Sequence, residues 1–491
     1  MDENYTEKTG TDRRETHLDR CSNLTEKELP TDLHTLALRQ CTINKLAAID
    51  FDEVTNLSVL QLRAGTIYKL RRKQFAKLPH LKILELQDNY IRDISFDTFV
   101  GLSQLWMLAL NQNQLDLLNG SVFSPLPELR HLDLSANNLI GLATTMFSGN
   151  PKLEVLLLRG NPFLVLWLST FIVLKNLVLL DLRSSGRYTT LELFSAQTII
   201  LNNNKLTKLE VLDEVSKLQA PHNKLEYVRL EKKATVTELD LHDNSLDTYD
   251  ISELVMGMWR LQVLDFSQNL VTELPVSRSH YSDGVFLLPN LKFVNLSHNR
   301  LEHLHQDSPL LSSGLTHLDV SYNRIHGIEA HTFGVVENLQ YLYLQGNLIS
   351  HFRADRFCNH HRGLKEVALY DNPIGYDSFC KITRYFEETG VHVLEQNSLE
   401  PHCEHEPLKN PIEQAAISDT GAHQVTQEIP TSLKWTTWNT LILLGLLISL
   451  TLDVYLILQL WRSRTQRHSR RSQSLRVIAK FIRSERSEVL I

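Results

Sequence analysis

Two short stretches of this 491-residue chain carry metal-ligand residue types in close succession. Cys358 is followed by His360 and His361, and His402, Cys403, Glu404 and His405 place four donors together. Neither spacing fits the paired intervals of a tetrahedral zinc site, so no metal is expected. Nucleophile and phosphate chemistry also lack their signatures: the chain has no Gly-x-Ser-x-Gly, no His-Glu-x-x-His, no Cys-x-x-Cys and no glycine-rich phosphate loop. No enzyme activity and no cofactor are therefore expected. The five cysteines (Cys21, Cys41, Cys358, Cys380 and Cys403) leave residues 42–357 empty, a placement that suits structural caps in an oxidising compartment. Asn-x-Ser/Thr acceptors stand at Asn4, Asn23, Asn56, Asn119 and Asn295.

What remains is binding chemistry, and the elements that would carry it repeat along the chain. The segment Leu81 to Ile91 reads L-x-x-L-x-L-x-x-N-x-L, and Leu129 to Leu139 and Leu315 to Ile325 have the same form. With the first apolar residue as position 1, repeats begin at 33, 57, 81, 105, 129, 153, 177, 196, 215, 236, 261, 291, 315, 339 and 364. A repeat of this length and pattern gives an α/β solenoid, a leucine-rich repeat horseshoe of about 15 turns with a parallel concave sheet. Apolar residues at positions 1, 4 and 6 should fill its interior. Position 9 is Asn in twelve repeats, from Asn89 to Asn372, and its amide can satisfy backbone groups where the chain leaves the strand. Position 19 is Phe in eight (Phe51, Phe75, Phe99, Phe123, Phe147, Phe171, Phe333, Phe357), which should stack as a spine beneath the convex side. Residues 182–260 lack that Phe and should have a thinner convex wall. Pro275 to Gly284 reads as a loop leaving the solenoid. At about 4.8 Å per strand, fifteen strands give an inner arc of about 70 Å.

Side chains at positions 3, 5, 7 and 8 should line that arc. The early repeats offer a mixed set, including Glu85, Trp106, Met107, Arg130, His131 and Asp133, whereas the late ones align aromatics and histidines. Phe293, His317, Tyr341, Tyr343 and Tyr370, with Trp106 earlier, are the candidate ligand contacts, since rigid aromatics anchor interfaces. The bland alternative is that neighbouring strand residues simply stack on each other. Asn295 falls at position 5, where a glycan would crowd the groove.

The composition splits by region. Residues 462–491 carry nine basic and two acidic groups, leaving a net charge of −14 on the rest of a chain whose total is −7. An acidic main body makes nucleic acid an unsuitable partner. Trp438 to Leu460 is a largely apolar run broken by a single acid, Asp453, long enough to cross a bilayer, and flanked by Trp435, Trp438 and Trp461. Arg462, Arg464, Arg467, Arg470 and Arg471 follow at once, so the positive-inside rule puts the tail in the cytosol and the solenoid outside. The expected organisation is an unstructured 1–20, a solenoid with its N-terminal cap over 21–379, a C-terminal cap over 380–403, a linker over 404–434, a transmembrane helix over 435–461 and a basic cytoplasmic tail over 462–491. Asp453 would pair with a partner helix, a membrane co-receptor, or else stay protonated near the interface. The tail places Leu475, Ile478 and Ile482 on one helical face among basic residues, as a helix lying on membrane lipids does. Residues 1–20 show no apolar signal core. Either a signal precedes the sequence given, or the solenoid is cytosolic and tail-anchored.

At the caps, Cys21 and Cys41 bracket the first strand and can staple it, and Cys380 with Cys403 can do the same at the other end. Cys358 is then left over, either as a buried thiol or as an interchain disulfide joining a homodimer.

With its 24-residue repeats, Phe spine and capping cysteines, the stretch from about 21 to 403 resembles the extracellular leucine-rich repeat receptors of animals. The short middle repeats and cysteine-poor caps are more similar to the mosquito leucine-rich immune proteins, in particular their transmembrane subfamily. That resemblance implies innate immune recognition of protein or microbial-surface ligands at the plasma membrane. Unlike the secreted members, the chain has no heptad coiled coil after Cys403, and unlike Toll-like receptors it has no signalling domain after the span. Signalling would need a partner. The alternative functions are a cell-adhesion molecule and, with the solenoid inside, a cytosolic scaffold.

Overall fold

The computed structural model describes residues 14–20, 30–41, 51, 54–167, 170–186, 188–276, 287–328 and 331–394. All of them belong to the first of two units, Met1–Pro401, the second being His402–Ile491. Seventeen parallel strands form one continuous sheet from Glu15–Asp19 to His392–Leu394. Fifteen of these strands begin two residues after the fifteen repeat starts, from Thr35–Arg39 through Val59–Arg63 and Ile83–Glu85 to Glu366–Ala368. The register never slips: Ile83 pairs with Met107, Met107 with His131, and His131 with Val155.

This constancy has a physical origin in each turn. Positions 1, 4 and 6 are buried, as Leu81, Leu84 and Leu86 illustrate. The backbone leaves the strand through position 8, which adopts left-handed φ in every repeat, from Gln40 (φ 53°) to Asp371 (φ 52°). Only two of those fifteen residues are glycine, Gly160 and Gly346. A non-glycine residue gives up about 1 kcal/mol or more in this conformation, and position 9 supplies the compensation. Asn137 Nδ2 donates to the Leu110, Leu134 and Ser135 carbonyls at 3.0, 3.0 and 3.2 Å, and its Oδ1 accepts from the Leu115 N–H at 3.1 Å. Each Asn thus ties its own turn to the previous one. At Ser185 a hydroxyl does part of the job, donating to the Leu158 carbonyl at 2.8 Å.

The predicted spine is present on the far side. Phe75, Phe99, Phe123 and Phe147 are buried and stack with successive centroids 6.3 Å apart. In the short middle turns the far wall is a second, three-stranded parallel sheet of Thr190–Leu193, Lys208–Val211 and Tyr227–Leu230. The next turn is longer and closes with helix α1, Thr248–Val255, whose Ile251, Leu254 and Val255 replace the missing Phe. Asp247 caps it, accepting from the Tyr249 and Asp250 N–H groups, while Asp250 accepts from the Asp247 N–H at 2.9 Å. Helix α2, Ala354–His360, carries Phe357 and Cys358.

Both ends of the solenoid depart from the sequence expectation. Residues 1–20 are not unstructured throughout: Glu15–Asp19 pairs in register with Thr35–Arg39, and Thr16 is buried against the first turn. A solenoid end covered by a further strand hides apolar surface that would otherwise meet water. The C-terminal cap begins before residue 380, because helix α3, Tyr376–Glu388, contains Cys380 and leads into the last strand. Among the described residues no helix is long and apolar enough to cross a membrane. The predicted span 435–461 and the tail lie outside those residues, as does Pro275–Gly284 apart from Pro275 and Val276.

Candidate binding surface

Strand register places the late aromatics in columns on the concave sheet. Phe293, His317 and Tyr341 occupy position 3 of consecutive turns and pair directly across the strands. Their rings lie 5.8 and then 4.3 Å apart, the second pair stacked at 14°. A second column at position 8 stacks His298 on Tyr322 at 4.5 Å. Gly346 continues that column for a steric reason: a Cβ there would stand 2.4 Å from the Tyr322 ring. Between the columns run the position 5 residues Asp265, Asn295, Asp319 and Tyr343. Asn295 Nδ2 donates to Asp265 Oδ2 at 3.0 Å, and the Tyr343 hydroxyl donates to Glu366 Oε1 at 2.7 Å.

The electrostatics follow from partial burial. Burial pushes the Asp319 carboxyl above the usual carboxylate range, against donation from Ser321. Burial and, to a smaller degree, Lys365 hold the His317 imidazole below its ordinary value. Tyr343 is raised by burial and then by Glu366, and Tyr370 by burial and then by its bond with Tyr322. The result is a half-buried aromatic patch with a polar seam through its centre, able to take flat or apolar groups beside hydrogen-bonding ones.

Phe293, His317, Tyr341, Tyr343 and Tyr370 thus come together. Phe293, His317 and Tyr341 also stack on one another, so part of their surface is taken up by the sheet itself. Trp106 does not join them. It stands at position 2, one residue before the strand Met107–Ala109, and eight turns away, about 40 Å along the sheet. There it lines a shallow depression with Lys82, Gln104, Glu128 and Arg130, rimmed by the Arg130–Glu154 and Lys152–Glu128 ion pairs.

Residues 55–115, 109–163 and 313–362 match the family described as leucine rich repeat. The described residues form a leucine-rich repeat solenoid. Lumican of Gallus gallus is 32% identical over 182 residues, which cover 32% of this chain and 51% of lumican. The chain spans about half the length of the lumican relatives it matches. Among solved structures, the Toll–Spatzle complex, titled a molecular hub in Drosophila development and innate immunity, matches with a TM-score of 0.60 at 23% identity over 70% of this chain and 49% of the other. The LRIM1/APL1C complex matches at 0.57 and 21% identity, over 80% of this chain and 69% of the other. At such identities these likenesses speak for the fold alone.

Around the patch, the remaining sequence-predicted sites fall as follows. Asn56 and Asn119 are exposed, and Asn119 Oδ1 accepts from the Ser121 hydroxyl at 2.8 Å within its acceptor triplet. Asn295 is half-buried in the seam, between Asp265 and Asp319. Cys41 and Cys380 are disulfide-bonded, and Cys358 is a free, half-buried thiol that burial pushes up, 3.8 Å from the Thr389 hydroxyl. Cys21, Cys403, Asn23 and Asp453 lie outside the described residues. Sequence reasoning missed one group: Asp240, His242 and Asp265 converge on the sheet next to the aromatic seam, with donor atoms within 4.8 Å of each other. Their strand alternation is visible in the sequence, but their adjacency depends on a turn of 25 residues falling into register.

Proposed function

We propose that this chain is a single-pass cell-surface protein of the plasma membrane that captures a protein or microbial-surface ligand on its C-terminal concave patch, in innate immune recognition, and signals through a membrane partner. The observation that carries the reading is the Phe293–His317–Tyr341 stack beside the polar seam of Asn295, Asp319 and Tyr343. Disulfide bonding at Cys41 and Cys380 fits an extracellular solenoid. The proposed bridges are Cys21–Cys41 and Cys380–Cys403, one for each cap. The apolar segment 435–461 supplies the anchor, Asp453 the contact with a co-receptor helix, and the basic tail the contact with lipid headgroups. Glycans are proposed at Asn23, Asn56, Asn119 and Asn295; the last would stand over the seam and limit what enters it.

The test uses cells expressing the full chain with an epitope near its N-terminus. Antibody staining of intact cells reports the topology, and binding of labelled bacteria and of soluble proteins reports capture. The H317A/Y341A variant should stain equally and bind about tenfold less or weaker, the loss of one interface anchor cluster. Equal capture by the variant sinks the patch; staining only after permeabilisation sinks the cell-surface reading. Aggregation between expressing cells without added ligand would replace recognition by adhesion.

A further inference from the structure

Position 8 of one middle turn and position 7 of the next bring two imidazoles face to edge. His222 Nε2 and His242 Nε2 stand 3.3 Å apart, with ring planes at 86°. Each Nδ1 is held by a carboxylate at 2.7 Å: His222 by Asp243 Oδ2, and His242 by Asp240 Oδ1. An ionised carboxylate only accepts, so the proton of each neutral ring sits on Nδ1 and both Nε2 atoms present lone pairs. Two lone pairs at that separation do not bond each other; a positive centre between them does. Donors about 2.0–2.1 Å from a tetrahedral zinc ion lie about 3.3–3.4 Å from each other. A ligating histidine with its other ring nitrogen bound to a carboxylate is also the usual outer-shell arrangement. The Asp265 carboxylate, within 4.8 Å of donor atoms of His242 and Asp240, adds negative charge beside the pair. The site is open to solvent, with the His222 side chain 47% exposed and that of His242 26%.

We propose that His222 and His242, oriented by Asp243 and Asp240 and with the Asp265 charge nearby, bind a divalent transition-metal ion of the zinc class on the concave face, with the remaining coordination positions left open. Two imidazoles select against calcium and magnesium, which take oxygen ligands. The site adjoins the aromatic patch through the Asp265–Asn295 bond, yet stands whether or not that patch binds a ligand.

The test is zinc titration of the purified full chain in detergent, in competition with a chromophoric chelator at pH 7.5. The wild type should bind one more zinc equivalent than the H222Q/H242Q variant, and D243N should weaken that equivalent about tenfold while leaving its stoichiometry unchanged. Cobalt loading should give visible d–d absorption that the double variant lacks. Circular dichroism checks folding, and if the double variant does not fold, H222Q alone, at an exposed side chain, takes its place. Equal zinc stoichiometry and affinity in wild type and variant overturn the proposal and leave the two rings sharing a proton.

Discussion

Replacing Asn137 with alanine would leave the Leu115 N–H without its acceptor and take one of two donors from each of the Leu110, Leu134 and Ser135 carbonyls, which keep Asn113 Nδ2, Asn161 Nδ2 and the Gln112 N–H. An orphaned buried N–H costs about 1–3 kcal/mol, and the weakened carbonyl bonds bring the expected total to about 2–4 kcal/mol. Urea denaturation followed by circular dichroism should show that loss for Asn137→Ala and a smaller one for Asn137→Ser, because Ser185 already works at the same position. A change below about 0.5 kcal/mol for the alanine would mean that the ladder does not hold the turns together. The ladder is legible in the sequence because twelve of fifteen repeats spell it with one residue type. The left-handed residue before it is not. Position 8 is filled by Gln112, Ala136, His222 and Tyr322 among others, and is left-handed also before Cys41, Gly65 and Ser185, so the conformation belongs to the turn and not to the residue that adopts it. The same masking hides the His222–His242 pair, whose members occupy different positions in turns of different length.

Among the elements, the Phe spine behaves as a chain of identical contacts. Phe123 is buried between Phe99 and Phe147, both 6.3 Å from it, so Phe123→Ala opens a cavity that two flanking turns share. A cost of about 3–5 kcal/mol is expected, read as a lower urea midpoint with an unchanged slope. A reduced slope would mean instead that the solenoid breaks into independently melting segments, as nearest-neighbour arrays do when one interface is weakened. The spine is readable from eight phenylalanines at one position, whereas no single residue type announces the second sheet behind the short turns. Its signal lies in the sequence as alternation, in Thr190-Leu191-Glu192-Leu193 and Lys208-Leu209-Glu210-Val211, with Leu191, Leu193, Leu209 and Val211 buried. A turn of 19 residues has no room for the looser 24-residue return, and two short strands facing each other across Leu side chains are the compact way to close it. The first strand, Glu15–Asp19, escapes for a different reason: Thr16 stands where the other turns have Leu, Ile or Val.

For the molecule as a whole, acid should loosen the solenoid through histidines at three separate places along it. Burial holds His131, His317 and His361 below the ordinary imidazole value, with Asp133 opposing it at His131 and Val336 opposing it at His361. The sign follows from linkage. Above about pH 6.5 both folded and unfolded chains carry these rings neutral, so the native state bears no penalty. As the pH falls below that value the unfolded chain takes up protons that the native state still refuses, and stability is lost until the lowered native values are passed. Each ring contributes a slope of up to about 1.4 kcal/mol per pH unit inside that window. The raised Asp319 works in the opposite sense, its penalty at neutral pH fading as acid approaches the carboxylate range, so the histidine effect is isolated at pH 5.5–7.5. The melting temperature should fall across that interval, and H131Q should flatten the fall without moving the pH 7.5 value by more than a few degrees. A melting temperature that is level or rises as the pH drops from 7.5 to 5.5 would show that these rings protonate as readily in the fold as out of it. His317 ties this behaviour to the proposed ligand patch. It stacks between Phe293 and Tyr341, and protonation would put a charge into the centre of that column, so capture should weaken over the same interval in which the fold loses stability.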